Sequence, residues 1–271
     1  MKWMDLHMHT EASEDSDASI GAMCAAAVKQ GLSAIAVTDH VEMTLFRENG
    51  YDKTAEASWS AAEQAAVDWR GKLKVIRGIE LGQPLYDLPT AEAVLAAHPY
   101  DFILGAQHKL GSHEDDIDYY FYDYDKHDVR EAMDLYFDAV HKLVAWGKFH
   151  SLAHLTYPFR YIPIGKSPKG YGLWQDKIDC ILRLLAEKGL ALEINTSGLR
   201  NPNLRCTHPD LPIVRRFREL GGERITVGAD AHRPEDVGAH IREGLKIAME
   251  AGFQYTAAYL GGEPDMVKIE L

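Results

Sequence analysis

Short apolar or β-branched runs alternate with longer amphipathic stretches along the whole chain. This alternation is typical of repeated strand–helix units around a parallel sheet. It predicts strands near residues 2–7, 33–38, 73–79, 102–107, 150–154, 190–195 and 224–229. It predicts helices near residues 19–31, 54–70, 90–97, 127–147, 175–189, 208–221 and 234–251, several of which end at a glycine.

Seven consecutive units without a break in composition favour one closed or nearly closed α/β barrel, residues 1–271, over two domains. Three predicted connections are unusually long: 41–53, 109–126 and 155–174. Each follows a strand, and in parallel α/β folds the loops after the strands form the active face. We therefore expect these loops to form the walls of a substrate site.

Composition narrows the class of partner. No apolar run approaches the roughly 18 residues of a membrane span, and the N-terminus has no apolar signal-peptide core, so we expect a cytoplasmic protein without a membrane partner. The formal net charge of -12 argues against nucleic acid as a partner and favours a small molecule. The three cysteines are far apart and in no CxxC arrangement, which predicts neither disulfides nor a thiolate zinc site.

Candidate metal ligands recur at the ends of the predicted strands. His7 and His9 are two residues apart at the end of the first strand, so both side chains point to the same side. Such a pair alone is a weak signal. Five further strands end in Thr38-Asp39-His40, Gly78-Ile79-Glu80, Ala106-Gln107-His108, Leu152-Ala153-His154 and Ala229-Asp230-Ala231-His232. Imidazole and carboxylate suit Zn²⁺, Mn²⁺ or Fe²⁺ better than Ca²⁺ or Mg²⁺. The pattern predicts a polynuclear metal site at the barrel mouth.

These motifs, together with Asp5-Leu6-His7-Met8-His9-Thr10 and Glu193-Ile194-Asn195-Thr196-Ser197-Gly198-Leu199-Arg200, extend over nearly the whole chain. The set resembles the PHP (polymerase and histidinol phosphatase) family and, within it, the histidinol-phosphatase branch. The resemblance implies a distorted (βα)7 TIM-like barrel with up to three divalent metals on its C-terminal face. It also implies hydrolysis of a phosphomonoester.

The resemblance also implies a distribution of ligands. One metal would take His7, His9, Glu80 and Asp230; a second would take Glu80 as a bridge with His108 and His154; a third would take His40 and His232. The family places one more ligand for the third metal six residues beyond the second histidine of HxH, which is Asp15 here. Its neighbours Glu14 and Asp17 remain alternatives, and this acidic run could instead cap the helix that starts near Ser19.

Such a cluster needs no protein nucleophile, because a hydroxide held between metals can attack phosphorus. Glu80, Asp230 and His232 are the residues expected to be central to catalysis. Arg160 and Arg200 are candidates for phosphate binding in an arrangement that the PHP phosphatases resemble, although each could be a surface arginine. Lys109 is a weaker candidate, on position alone.

The run Tyr119-Tyr120-Phe121-Tyr122-Asp123-Tyr124 is unusually aromatic for a loop. It could stack on a flat imidazole, form a lid on the barrel rim, or form an oligomer contact such as that of a homodimer. The seven remaining histidines, His98, His113, His127, His141, His150, His208 and His240, are predicted to be structural, with His113 also a candidate to support a ligand.

The function predicted from these residues is hydrolysis of L-histidinol phosphate in histidine biosynthesis. A PHP phosphoesterase for a nucleotide or sugar phosphate is the alternative within the same chemistry, because the metal ligands do not define the substrate. An amidohydrolase-type barrel also begins with HxH, but Glu80 and His108 argue against it, as does the lack of a strand-end lysine that could bridge metals. A metal-storage or degenerate binding protein would be expected to have lost ligands, and none is lost.

Overall fold

Seven parallel strands form a nearly closed barrel in the computed structural model, which describes residues 3–110, 117–163, 165–166, 170–202 and 204–271. His113 lies outside the described residues. The barrel strands, in spatial order, are β1 (Trp3–Met8), β2 (Leu32–Val37), β4 (Lys74–Gly82), β5 (Phe102–Ala106), β6 (Ser151–Leu152), β7 (Ala191–Asn195) and β8 (Ile225–Gly228). A short strand, β3 (His40–Glu42), continues the line of β2 and pairs with the end of β4. The predicted α/β barrel of seven units is confirmed.

Seven α-helices lie among the described residues, and their buried faces pack on the barrel. They are α1 (Ile20–Lys29), α2 (Tyr51–Asp68), α3 (Leu88–Ala97), α4 (Val129–Trp146), α5 (Gln175–Glu187), α6 (Leu211–Glu219) and α7 (Ile241–Glu250). The described part of the chain has no helix with the length and hydropathy that crossing a bilayer requires.

The barrel closes where β1 meets the end of β8, a junction that we call the seam. Asp230 N donates to His7 O at 2.8 Å, and His9 N donates to Ala231 O at 2.8 Å. The buried carboxylate of Asp5 completes the seam, because it accepts from the backbone nitrogens of Ala229 and Gly238, each at 2.8 Å. The first strand is thereby fixed to the last.

A hairpin closes the opposite, N-terminal end of the barrel. It consists of β9 (Tyr255–Leu260) and β10 (Glu263–Lys268), joined by Gly261 and Gly262, which both have positive φ angles. Ala257, Ala258 and Tyr259 pack against the small residues inside the barrel. The hairpin lies on the face away from the predicted metal ligands, so it contributes to stability and leaves the mouth open.

The structure corrects several predicted boundaries. The predicted helix 208–221 begins only at Leu211, because Asp210 caps it and the preceding residues bond to β7. The predicted helix 234–251 begins at Ile241, after a 3-10 turn at Pro234–Asp236. The predicted strand 150–154 has only two residues. The β9–β10 hairpin was not predicted, although a two-glycine turn is a known hairpin signal.

We expect Asp5→Ala to lower the free energy of unfolding by roughly 2–4 kcal/mol, because it leaves buried N–H groups at the seam without an acceptor. Urea unfolding of the purified protein would measure this loss. Asp265→Ala, at an exposed position of β10, is the control. A loss for Asp5→Ala within about 0.5 kcal/mol, the size of an ordinary surface effect, would show that the seam does not depend on this carboxylate.

Candidate metal centre and active site

All nine predicted metal ligands lie together at the C-terminal mouth of the barrel. Their nitrogen and oxygen atoms form four overlapping groups in which every ligand atom lies within 4.8 Å of the others. The groups are His9, Asp15, His40 and His232; His7, His9 and Asp230; His7, Glu80 and His154; and His40, Glu80 and His108. The first group contains the three ligands predicted for the third metal and adds His9. The barrel thus brings together residues from six strand ends and one loop.

The rings of His7 and His9 are oriented by acceptors behind them. His7 Nδ1 donates to Glu193 at 2.7 Å, which leaves its Nε2 with a lone pair. His9 Nδ1 faces the Ser13 hydroxyl at 3.2 Å, and Ser13 in turn donates to Asp39 at 2.9 Å. The two Nε2 atoms then face each other at 3.1 Å. Acceptors of this kind fix the tautomer that a metal requires.

In the second histidine pair, His108 and His154, an acceptor orients the ring of His108. His108 Nδ1 donates to the buried carboxylate of Glu42 at 2.8 Å, and His108 Nε2 lies 3.2 Å from His154 Nε2. Glu80 Oε1 lies 2.8 Å from His154 Nε2, and Glu80 Oε2 lies 3.0 Å from His40 Nδ1. Glu80 is fully buried and contacts imidazoles of both histidine pairs, which places it at the centre of the site.

The acidic run after β1 contributes a single residue to these groups. Asp15 Oδ2 lies 2.9 Å from His232 Nε2 and 3.5 Å from His40 Nε2. Glu14 instead accepts from the Tyr51 hydroxyl at 3.1 Å. Asp17 joins none of the groups among the described residues, and helix α1 is capped by Ser19 itself. The geometry therefore favours Asp15 over its two neighbours as a ligand.

The donor set fits divalent cations. Paired Nε2 atoms about 3 Å apart cannot both keep lone pairs facing each other unless a proton or a cation lies between them. Buried Glu80 Oε2 lies 3.0 Å from His40 Nδ1, yet no contact of this oxygen among the described residues has the geometry of a hydrogen bond. Burial would raise the pKa of Glu80, but the imidazoles of His7, His40 and His108 hold it well below its usual range. These observations, taken with the groups above, identify metal-binding clusters.

The backbone is bent sharply at two of the ligands. Asp230 has φ +53° and His154 has φ +21°, values that residues with a side chain seldom adopt. Such strain persists only where the surroundings enforce it, and it clusters at functional sites. Gly228, just before the Asp230 turn, has no room for a Cβ, which would overlap the His7 side chain. The close approach of β8 to β1 therefore requires glycine here.

The two arginines predicted to bind phosphate have different surroundings. Arg160 lies over the rings of Tyr157 and Tyr161, and its Nη2 donates to Asp230 Oδ2 at 3.0 Å and to Ser197 at 3.1 Å. Arg200 Nη2 donates to the backbone oxygens of Ala229 and Asp230. Arg160 therefore faces the ligand side chains, whereas Arg200 contacts the backbone behind them.

A cavity of about 120 Å³ opens above the ligands. The described residues that line it are Glu14, Asp15, His40, Glu42, His108, Lys109, Asp118, His154, Tyr157, Arg160, Tyr161, Asp230 and His232. Lys109 is thus at the cavity, as its position predicted, and Arg200 is not among the lining residues. Acids outnumber the two basic residues, so an anionic phosphate would be repelled unless bound cations reverse the local field.

The aromatic run 119–124 divides between core and surface. Tyr119 and Tyr124, two of the five aromatic residues of the run, are buried against α4 and are therefore structural. Tyr120 and Phe121 are 61% and 76% exposed, and Tyr120 contacts the cavity residue Tyr161 edge-on with ring centroids 5.2 Å apart. Two aromatic side chains therefore remain at the rim.

Sequence reasoning missed the residues that orient the ligands. Glu193 accepts from His7 Nδ1 and, through its other oxygen, from the backbone nitrogen of His154 at 2.8 Å. Glu42 holds His108, and Ser13 with Asp39 holds His9. Glu193 and Asp39 could have been identified from the sequence, because they lie within the motifs that resemble the PHP family. Glu42 could not, because it lies in a stretch that was predicted to be a loop. Six other described histidines, His98, His127, His141, His150, His208 and His240, join none of the metal-ligand groups.

Comparison with known proteins places the chain in a family. The model of the PHP domain matches residues 5–197. The histidinol-phosphatase of Lactococcus lactis is 27% identical over 270 residues, which cover 99% of this chain and 98% of that protein. A probable histidinol-phosphatase of Thermotoga maritima is 30% identical over 266 residues, covering 94% of each chain.

Solved structures agree with the fold. The crystal structure of the Lactococcus lactis histidinol phosphate phosphatase, in complex with zinc, L-histidinol and phosphate, superposes with a TM-score of 0.81 at 26% identity. It covers 97% of this chain and 99% of its own. A crystal structure of a protein from Listeria monocytogenes, at 17% identity and a TM-score of 0.77, shares the fold. The chain belongs to the PHP domain family, and it is a metal-dependent phosphoesterase of that family.

Proposed function

We propose that this enzyme hydrolyses L-histidinol phosphate to L-histidinol and phosphate. The observation that carries the proposal is one cavity in which metal-binding clusters, a partly buried arginine and acidic and aromatic side chains meet. The curated relatives named above, which match nearly the full length of the chain, are called histidinol-phosphatases or probable histidinol-phosphatases. They support the same substrate, and the Lactococcus lactis structure supports zinc as one metal that such a site accepts.

Up to three divalent ions, Zn²⁺, Mn²⁺ or Fe²⁺, would be held by the nine ligands. We assign His7, His9, Glu80 and Asp230 to the first, Glu80, His108 and His154 to the second, and Asp15, His40 and His232 to the third, which His9 also approaches. When bound, such ions make coordinated water nucleophilic at neutral pH and polarise phosphoryl oxygens. Glu80 and Asp230 remain carboxylates because neighbouring imidazoles keep the pKa of each well below its usual range against the effect of burial.

Arg160 binds the phosphoryl group in this proposal. Its guanidinium lies over two tyrosine rings and beside the Asp230 carboxylate, so a phosphate that it binds lies next to the metal ligands. Guanidinium groups bind phosphate oxygens through two parallel N–H bonds, which fixes orientation as well as charge. Lys109 lies on the same cavity wall and adds a second positive charge.

Acidic and aromatic residues of the same cavity suit a cationic, flat leaving group. Asp118 lines the cavity and accepts from the Tyr157 hydroxyl at 3.1 Å and from Tyr120 N at 2.7 Å, so its carboxylate is held in place. Glu14 supplies another acid, and Tyr161 supplies a ring. L-histidinol carries an ammonium group and an imidazole, which these acids and this ring complement.

The substrate assignment is tested by kinetics with L-histidinol phosphate against a panel of nucleotide and sugar phosphates. We expect kcat/KM to be highest for L-histidinol phosphate by about 100-fold or more, which corresponds to roughly 3 kcal/mol of discrimination by the acids and the aromatic ring. A nucleotide or sugar phosphate that exceeds it by such a factor would overturn the substrate and leave the phosphoesterase chemistry intact.

Glu80→Gln is expected to reduce metal content by about one equivalent per chain or more, because one carboxylate contacts imidazoles of several groups. Elemental analysis of the purified variant measures the metal, and circular dichroism shows whether the fold is kept. Glu92→Gln, at an exposed glutamate that pairs with Lys148, is the matched control. Full metal stoichiometry in Glu80→Gln would contradict the shared position of this residue.

Arg160→Ala should raise KM for phosphate esters by about 10–100-fold, since it removes charged hydrogen bonds worth roughly 1.5–3 kcal/mol. Metal content should stay near that of the unmodified protein. Arg160→Lys keeps the charge but not the two parallel N–H donors, so its KM should lie between that of Arg160→Ala and that of the unmodified protein. An unchanged KM in Arg160→Ala would remove Arg160 from the substrate site.

A further inference from the structure

We propose that Arg200 is a positioning residue that holds the turn carrying Asp230 and His232, and that of the two arginines only Arg160 binds phosphate. The inference rests on the proposed metal centre and is independent of which phosphomonoester is the substrate. It assigns the two arginines, which look equivalent in the sequence, to different tasks.

Arg200 contacts two backbone oxygens and one carboxylate. Its Nη2 donates to Ala229 O at 2.8 Å and to Asp230 O at 3.2 Å, and its Nε lies 3.3 Å from the carboxylate of Asp236. Ala229 and Asp230 follow the last residue of β8, and Asp236 ends the 3-10 turn after His232. One guanidinium therefore connects both ends of the segment that contains two proposed metal ligands.

This segment needs an external contact, because Asp230 has the left-handed φ of +53°. An L-residue adopts that conformation at a cost, and the surrounding structure must enforce it. Arg200 supplies a charged donor to the two carbonyl oxygens at the bend. The Asp230 side chain is held separately by Ser197 and Asn195, whose donors lie 3.2 and 3.3 Å from Oδ2.

The orientation of His232, the second proposed ligand in this segment, depends on the carbonyl group of Asp230. His232 Nδ1 lies 3.1 Å from Asp230 O, to which it donates, and Arg200 donates to this same oxygen. This bond leaves His232 Nε2 with the lone pair that faces Asp15 at 2.9 Å. Fixing the carbonyl thus fixes both the tautomer and the direction of the imidazole.

Arg160 differs in each of these respects. It lines the cavity, it contacts the Asp230 side chain rather than its backbone, and two tyrosine rings hold it. Arg200 is absent from the cavity wall formed by the described residues, and its acceptors lie on the far side of Asp230. A phosphate in the cavity would meet Arg160 first.

The test separates metal binding from phosphate binding. Zn²⁺ is titrated into chelator-treated Arg200→Ala, Arg200→Lys and Arg160→Ala, and inorganic phosphate is then titrated calorimetrically into the Zn²⁺-saturated proteins. Arg215→Ala, at an exposed position of α6, is the control for loss of an arginine. Neither titration depends on the identity of the ester or on turnover.

For Arg200→Ala we expect the affinity for Zn²⁺ at the weakest site to fall by about 10–100-fold, as it does when other groups that orient metal ligands are removed. The phosphate affinity of the Zn²⁺-saturated variant should stay within about threefold of that of the unmodified protein. Arg200→Lys should recover part of the Zn²⁺ affinity, since an ammonium can reach one carbonyl. Arg160→Ala should show the reverse: unchanged Zn²⁺ affinity and phosphate affinity lowered by about tenfold or more.

Unchanged Zn²⁺ affinity in Arg200→Ala, or a tenfold loss of phosphate affinity at saturating Zn²⁺, overturns the assignment. If Arg200→Ala does not fold, Asp236→Ala is the substitute, because it removes only the carboxylate that contacts the guanidinium. This variant should bind Zn²⁺ about threefold more weakly than the unmodified protein. A Zn²⁺ affinity equal to that of the unmodified protein would also overturn the assignment. Failure of the metal centre itself would look different, because then the unmodified protein would bind no Zn²⁺.

Discussion

The fold and the site both depend on the seam between β1 and the end of β8. The peptide groups of His7 and His9 bond across it to Asp230 and Ala231, and the Asp5 carboxylate secures it from within. Because the barrel closes at this line, two ligand pairs from opposite ends of the sequence face each other. A gap of one strand would move them about 5 Å further apart, too far to share an ion.

Features that depend on local sequence were predictable. The seven strands follow from apolar runs, and most candidate ligands, such as Glu80 and His154, lie where those runs end. In a parallel barrel the C-terminal ends of all strands lie at one rim, so the positions of these residues along the chain were enough to predict that they lie close together. Asp15 followed from its spacing within the family motif, and the structure places it against His40 and His232.

Features that depend on distant pairing were not predictable in this way. Nothing near Glu193 indicates that its carboxylate orients His7, which lies 186 positions away, and Glu42 orients His108 across two strands. The same is true of Arg200: its position after a strand suggested the active face, whereas its partners are carbonyl oxygens of the turn that follows β8. The β9–β10 hairpin packs inside the far end of the barrel, and that packing is visible only once the barrel exists.

The carboxylates that orient the histidines also make the centre able to hold protons. Against the effect of burial, Glu193, Glu80 and Asp230 raise the pKa of His7 well above its ordinary value, and Glu42 and Glu80 raise that of His108 to about 10. Because a cation must displace any proton from an imidazole nitrogen that it binds, these acids tie the affinity of the centre for divalent ions to pH, and that affinity is expected to fall as the imidazoles become protonated.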